Sequence, residues 1–311
     1  MLHLRLVVPS GRAGAVLELL DDEESVANLI HLPGAARAPE GDVVLCDVAR
    51  EDASIVLERL RALGLEREGS IAVEEVDFSL SRAADDAERA AAGSPVDAVV
   101  WEEIVARTSE EAELSFSFLV FMALATTIAG VGILTDSVIL IIGAMIVGPE
   151  FGPIAGVCVA LVQGRPDLAR RSFRALLVGF PTGMTAALVL TAATRAAGTA
   201  PDRLGGRSSE TFFISHPSSW SVIVALLAGC AGVLSLTSTK SGALIGVLVS
   251  VTTIPAAANV GVAAAYGDWG EWRGALLQLA INVAAIFFAG VSTLGVQRAG
   301  FARRRRRRPR K

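Results

Sequence analysis

The chain has 311 residues, 52% of them apolar and 19% charged, with a formal net charge of −4 that divides unevenly. Acids crowd residues 1–113, and a run of arginines closes the chain. From Leu114 onward six long apolar runs follow one another, more than a soluble core of this size could hide. Three scattered histidines leave few places for histidine acid–base chemistry.

The opening MLHLRLVVPS is too short in its apolar run to read as a secretory signal. HLRLVV (3–8) alternates and predicts a strand, followed by a helix in GRAGAVLELLDD. SVANLIHL (25–32) predicts a second strand, PGAARAPEG a loop, and DVVLCDVA (42–49) a third strand. EDASIVLERLRALG (51–64) predicts a helix with Ile55, Leu57, Leu60 and Leu63 as core residues and Gly64 as its stop. SIAVEEVDFSL (70–80) closes the region as a fourth strand. The order βαββαβ is that of a ferredoxin-like sandwich over residues 1–80, expected in the cytoplasm. His3 and His31 read as ordinary strand residues, with no partner at ligand spacing.

Residues 81–113 read as a polar linker followed by an amphipathic helix over 95–115, with Val99, Val100, Trp101 and Ile104 on its apolar or interfacial face. Cys46, Cys158 and Cys230 stand alone and predict packing, not a disulfide framework or a metal site.

The membrane region, 114–298, contains runs at 114–134, 138–162, 175–194, 220–239, 243–266 and 275–297, each long enough for a hydrocarbon core. A polytopic α-helical membrane protein of six spans is the expected fold class. Arg165, Arg170, Arg171 and Arg174 between spans two and three, with Arg303, Arg304, Arg305, Arg306, Arg307 and Arg308 in the tail 299–311, orient both termini to the cytoplasm of a prokaryotic plasma membrane. Arg170, Arg171 and Arg303 to Arg308 are the residues expected to set orientation or meet lipid, anionic near the tail, at about 1 kcal/mol per charge near the surface, and nucleic acid is not an expected partner.

Displacing the chain by 103 positions superposes spans one to three on spans four to six. Ile142-Gly143 falls on Ile245-Gly246, Val157, Val159 and Ala160 on Val260, Val262 and Ala263, Gly164 on Gly267, and Arg170 on Arg273. Three spans form an odd number, so the second unit is inverted: a 3+3 inverted repeat.

Span two (138–162) carries Gly-Pro-Glu-Phe-Gly-Pro at 148–153, and span five (243–266) carries Pro255 at matched depth. Both prolines and glycines are expected to open the hydrogen-bond ladder, which buried surroundings must then satisfy. Glu150 is the one charge inside all six runs, and at the centre of a bilayer it costs about 2.5–3.5 kcal/mol on insertion scales. The expected pathway gathers Gly148, Pro149, Glu150, Gly152 and Pro153 with Thr126, Thr127, Thr252, Thr253, Pro255, Asn259, Gln278 and Asn282.

These residues also carry a resemblance. IGAMIVGPEFGPIAG, preceded by LATTIAGVGILTDSVIL, resembles the prokaryotic hydrophobic-domain family known as domain of unknown function 389 (DUF389). The matching positions in the first half are Ala125, Ala129, Gly132, Asp136, Ser137, Gly143, Ala144, Met145, Pro149, Gly152 and Pro153. Ala228, Gly229, Gly232, Gly246, Pro255, Gly261 and Asn282 resemble the later half. The likeness covers roughly 100–297 and implies a transporter-like membrane architecture. Gly148 and Glu150 depart from the family's more frequent Ser and Leu, and span five has one proline where a pair is common.

Neither a Ser/His/Asp set, an HExxH, a P-loop nor a dinucleotide fingerprint is present, so the chain does not read as an enzyme and no cofactor is expected. A secondary transporter of a small solute or ion, sited between spans two and five and regulated or assembled by the amino-terminal domain, is the first reading. A channel and a non-transporting sensor or scaffold are the alternatives, and homo-oligomeric assembly is expected.

Overall fold

The computed structural model describes residues 1–76, 80–91, 99–202, 204, 211, 214–237 and 245–307, with backbone alone at 245–252 and 301–307. The chain divides into two compact units, one built from Met1–Glu103 and the other from Ile104 onward.

In the first unit β1 (Leu2–Val8), α1 (Ala13–Asp21), β2 (Val26–Arg37), β3 (Glu40–Val48), α2 (Ala53–Ala62), a single turn α3 (Leu65–Glu68) and β4 (Ser70–Glu75) follow in order. The four strands form one antiparallel sheet in the order β2-β3-β1-β4. Period-two alternation places Leu2, Leu4, Leu6 and Val8 on the buried face beside Val44, Cys46 and Val48. On α2 the buried row is Ala53, Val56, Leu57 and Leu60, while Ile55 and Leu63 are only half-buried. The helix starts two residues later than expected, and its i, i+3, i+4, i+7 stripe of Ala53, Val56, Leu57 and Leu60 leaves Ile55 and Leu63 at the margin. Gly64 stops it at φ +80°, a conformation that suits glycine.

The segment expected as a loop at 33–41 instead prolongs the β2–β3 hairpin to the pairs Ala36–Gly41 and Arg37–Glu40. A register shift between Leu32 and Ala36 absorbs Pro33 and Gly34, and Asp42 accepts a 2.9 Å hydrogen bond from the Gly34 N–H. The histidines lie on strands, as expected. His3 pairs with Asp47 at 2.7 Å and His31 with Asp42 at 2.8 Å, partners brought by strand register and not by local spacing.

Two further helices follow, α4 (Arg82–Ala90), capped by Ser81 Oγ on the Ala84 N–H, and α5 (Trp101–Glu111). The expected helix over 95–115 therefore begins later. Residues 92–98 lie outside those described. Val100, Trp101 and Ile104 are buried, not interfacial.

The second unit is helical: α6 (Phe116–Leu134), α7 (Val138–Val147), α8 (Phe151–Gln163), α9 (Pro166–Ala196), α10 (Ser219–Thr237), α11 (Ile245–Tyr266) and α12 (Trp269–Arg307). Among the described residues α6, α9, α10 and α12 are long and apolar enough to cross a membrane, and α7 with α8, bent by 53°, adds a fifth where the pair counts as one span. Ser115 caps α6 by accepting from the Phe118 N–H at 3.1 Å, and Ser218 caps α10 by accepting from Ser221 at 3.2 Å. Gly164 and Gly267, at φ +69° and +70°, end α8 and α11 in the left-handed conformation that glycine adopts without strain.

Small residues let the helices approach closely. The Thr126 hydroxyl donates to the Gly183 carbonyl at 2.9 Å, joining α6 to α9. A Cβ on Gly261 would stand 2.3 Å from the Met184 carbonyl oxygen, and one on Gly229 would stand 2.8 Å from that of Ile286. Large apolar side chains such as Ile139, Ile146, Leu177, Leu227 and Phe288 point outward instead. The unit is a polytopic membrane domain whose apolar exterior suits lipid.

Two outcomes are expected. Asp42 is held below the usual aspartate value of 3.8, first by the Gly34 N–H and then by His31. A depressed carboxylate stabilises above its unfolded pKa and loses that stabilisation as pH falls through the folded one. Hydrogen exchange on the full chain should show β2–β3 protection weakening below about pH 5, and Asp42→Asn should remove that acid dependence. Gly261→Ala should lower the thermal midpoint in detergent by the equivalent of ~1–3 kcal/mol through overpacking. Gly143→Ala, with nothing within 4 Å, should be tolerated.

Candidate functional site

The break between α7 and α8 follows from its prolines. A residue before proline is pushed out of the helical region, and Gly148 accordingly takes φ −65°, ψ 125° and ends α7. Pro149 has no N–H to donate to Met145, and Pro153 has none to donate to Pro149, so two rungs of one row are lost together. Pro153 then lies in the first turn of α8, where its missing donor costs little. Only the Gly148-Pro149 pair opens the ladder. The second Gly-Pro pair starts a helix, contrary to the expectation that both would bend it.

Span five also differs from expectation. α11 runs through Pro255 without interruption, as α9 runs through Pro181. A solitary proline removes one rung, and residues 253–263 are buried on all sides against neighbouring helices, which holds the rest of the ladder.

Glu150 begins α8 and is fully buried. It stands at the N-cap position yet makes no side-chain capping bond. Its carboxylate turns back instead: a Cβ on Gly148 would meet Oε2 at 2.4 Å. Oε1 accepts a 2.8 Å hydrogen bond from the hydroxyl of Thr253, itself fully buried on α11. Ile254 closes the apolar side, 2.8 Å from the same Gly148 Cβ position. On α8, Gly152 packs against Glu111 and Gly156 against Ser172, where any side chain would collide. Glycine at 148 therefore makes room for the carboxylate, and glycine at 152 makes room for the end of α5.

The structure thus brings together Gly148, Pro149, Glu150 and Thr253. Thr126 and Thr127 turn their hydroxyls onto helix carbonyls, at 2.8 Å to Met122 and 2.7 Å to Ala123. Asn259 is buried on α11. Gln278 donates to Asn282 Oδ1 at 3.1 Å within α12, and its own Oε1 is buried with no hydrogen-bond partner among the described residues. The Thr252 side chain and those of Arg303 to Arg307 lie outside the described residues, as does all of Arg308. Arg170, Arg171 and Arg174, with Asp167, line an exposed cavity of about 460 Å³ at the start of α9.

Three features had no sequence signal. The Asp136 carboxylate, at φ +49°, accepts from the Thr211 N–H and hydroxyl at 3.3 and 3.1 Å. Arg195 stacks 4.4 Å from the Tyr266 ring centre and donates to the Ala265 carbonyl at the end of α11. Gly290 meets Cys158, a Cβ there standing 2.9 Å from Sγ. Among the described residues no group of three or more His, Cys, Asp or Glu side chains could hold a metal ion.

Removing the Thr253 hydroxyl tests the pairing. Thr253→Val should lower the thermal midpoint by the equivalent of ~1–3 kcal/mol, while Thr253→Ser should stay near wild type.

The chain is 27% identical over 193 residues to an uncharacterized protein, MJ0678, of Methanocaldococcus jannaschii. The match covers 62% of this chain and 58% of that protein, less than two thirds of its length. No solved structure matches the chain. Residues 145–288, which contain the helix break, Glu150 and Thr253, match the family described as Domain of unknown function (DUF389).

Proposed function

We propose that the chain is a secondary transporter of a small solute or ion, built from two inverted three-span halves: α6 to α9 and α10 to α12. Span five in this reading is α11, whose helix ends at Tyr266, 103 positions after α8 ends at Gln163. The starts of α6 and α10, Phe116 and Ser219, share that offset. So do their ends, Leu134 and Thr237, and the starts of α9 and α12, Pro166 and Trp269. The serine caps of α6 and α10 also match donor for donor.

Packing supports the same reading. Within the first half Gly183 meets Thr126, with a Cβ contact of 2.7 Å; their counterparts Gly229 and Ile286 meet at 2.8 Å. Between halves Gly290 meets Cys158 at 2.9 Å, and the reciprocal pair, Gly261 and Ala187, meets at 2.9 Å. Reciprocal contacts, i with j and then j with i, are what two-fold symmetry requires. An inverted pair of this kind can exchange inward and outward states around a central site. The amino-terminal unit, with its βαββαβ order and β2-β3-β1-β4 sheet, fits a ferredoxin-like module facing the cytoplasm, where it regulates or assembles the membrane unit.

The observation that carries the proposal is a fully buried carboxylate at a helix break, hydrogen-bonded to the opposite half. Burial favours a carrier over a channel, since a standing pore would wet Glu150. Purified full-length protein in proteoliposomes should move solute or ion in a flux panel, and Glu150→Gln should reduce that flux at least roughly tenfold, a loss of about 1.4 kcal/mol. Wild-type liposomes without flux across the panel would reject the transport reading, and unitary current steps would replace the carrier with a channel.

A further inference from the structure

Resting on the reading of two inverted halves, we infer that Glu150 and Thr253 form one alkali-metal cation site on the two-fold axis between them. Two points related by a two-fold axis are separated by twice their distance from it. Glu150 and Thr253 are 103 positions apart, so each is the other's counterpart, and their side-chain oxygens are 2.8 Å apart. Both oxygens therefore lie beside the axis. A ligand held there meets both halves alike. When the halves exchange conformations, the side from which the ligand is reached changes while the ligand stays in place.

The donor set selects the ligand. Glu150 forgoes the positive N-terminal end of α8, where a capping carboxylate would sit, and folds over Gly148 toward the carbonyl end of α7. That end carries partial negative charge, and its last carbonyls have lost helical donors at the break. Carboxylate and hydroxyl oxygens beside a helix end of partial negative charge suit a hard cation and disfavour an anion. A single carboxylate balances a single positive charge, whereas a dedicated calcium cage gathers several. The described residues offer no such cluster. Neutral oxygens beside the acid are ligands that a sodium or potassium ion uses and a proton does not need. The Thr253 hydroxyl, which donates to Oε1 here, can rotate to present its lone pairs.

The test is thermal unfolding of the full chain in detergent, in sodium, potassium, lithium or choline chloride at equal ionic strength. Wild type should gain roughly 5 °C with one alkali ion at a hundredfold excess over its Kd, relative to choline. Glu150→Gln and Thr253→Val should lose that shift. The exchange variant Glu150→Thr/Thr253→Glu should keep it, because it moves the charge across the axis without leaving the site. The inference is overturned if no alkali ion shifts wild type, if Glu150→Gln keeps the full shift, or if a monodisperse exchange variant lacks it. Should the exchange variant fail to fold, Thr253→Ser decides: a retained shift supports the hydroxyl as ligand, and a lost one refutes it. A cation-dependent shift without flux would reject the carrier and keep the site. Flux without any shift would do the reverse.

Discussion

Two missing amide donors, four residues apart, shape the centre of the membrane unit. Pro149 and Pro153 remove successive rungs from one row of the helical ladder, and Gly148, held extended before Pro149, ends the first half of the span. The consequences follow in order. The chain bends by 53°, a new helix begins inside the packed unit, and the residue at its start can direct a side chain into space that a continuous helix would fill. Glu150 is that residue. Its carboxylate fits only because Gly148 has no Cβ, and it reaches α11 only because Thr253 lies opposite.

The contrast with the other interior prolines isolates the cause. Pro181 and Pro255 each sit in helices that continue past them. Each removes one rung, neither follows a glycine, and tertiary packing holds the remainder. Proline content alone therefore does not mark a break; the break lies where the residue before the proline, Gly148, has left the helical conformation. The same economy governs the helix contacts. Glycines 183, 229, 261 and 290 allow backbones to approach where lipid supplies no hydrophobic drive between helices, while bulky aliphatic side chains face outward.

The amino-terminal unit uses a different balance. Its core is an ordinary alternation of strand residues against two helices, and its histidine–aspartate pairs are cross-strand. Asp42 ties the long β2–β3 hairpin by accepting from Gly34 and pairing with His31, so the region that most resembled a loop is a well-paired edge. Arg50 bridges Glu75 and Glu103, and the Ser54 hydroxyl donates to Glu102, fixing the first turn of α5 to this unit.

Much of the architecture is legible in the residues themselves. Apolar runs the length of a bilayer predict the helices; alternation predicts the β1 strand; Gly64 marks an end that the backbone realises. A lone acid among apolar runs singled out Glu150 before any partner was visible, because a buried charge is costly wherever the helix lies. What the residues could not decide was adjacency. The Glu150–Thr253 bond, the His3–Asp47 and His31–Asp42 pairs and the Gly290–Cys158 contact join positions far apart in the chain, set by strand register and helix packing. Nor could composition tell a proline that opens a helix from one that does not, since that depends on whether neighbouring helices compensate the missing rung.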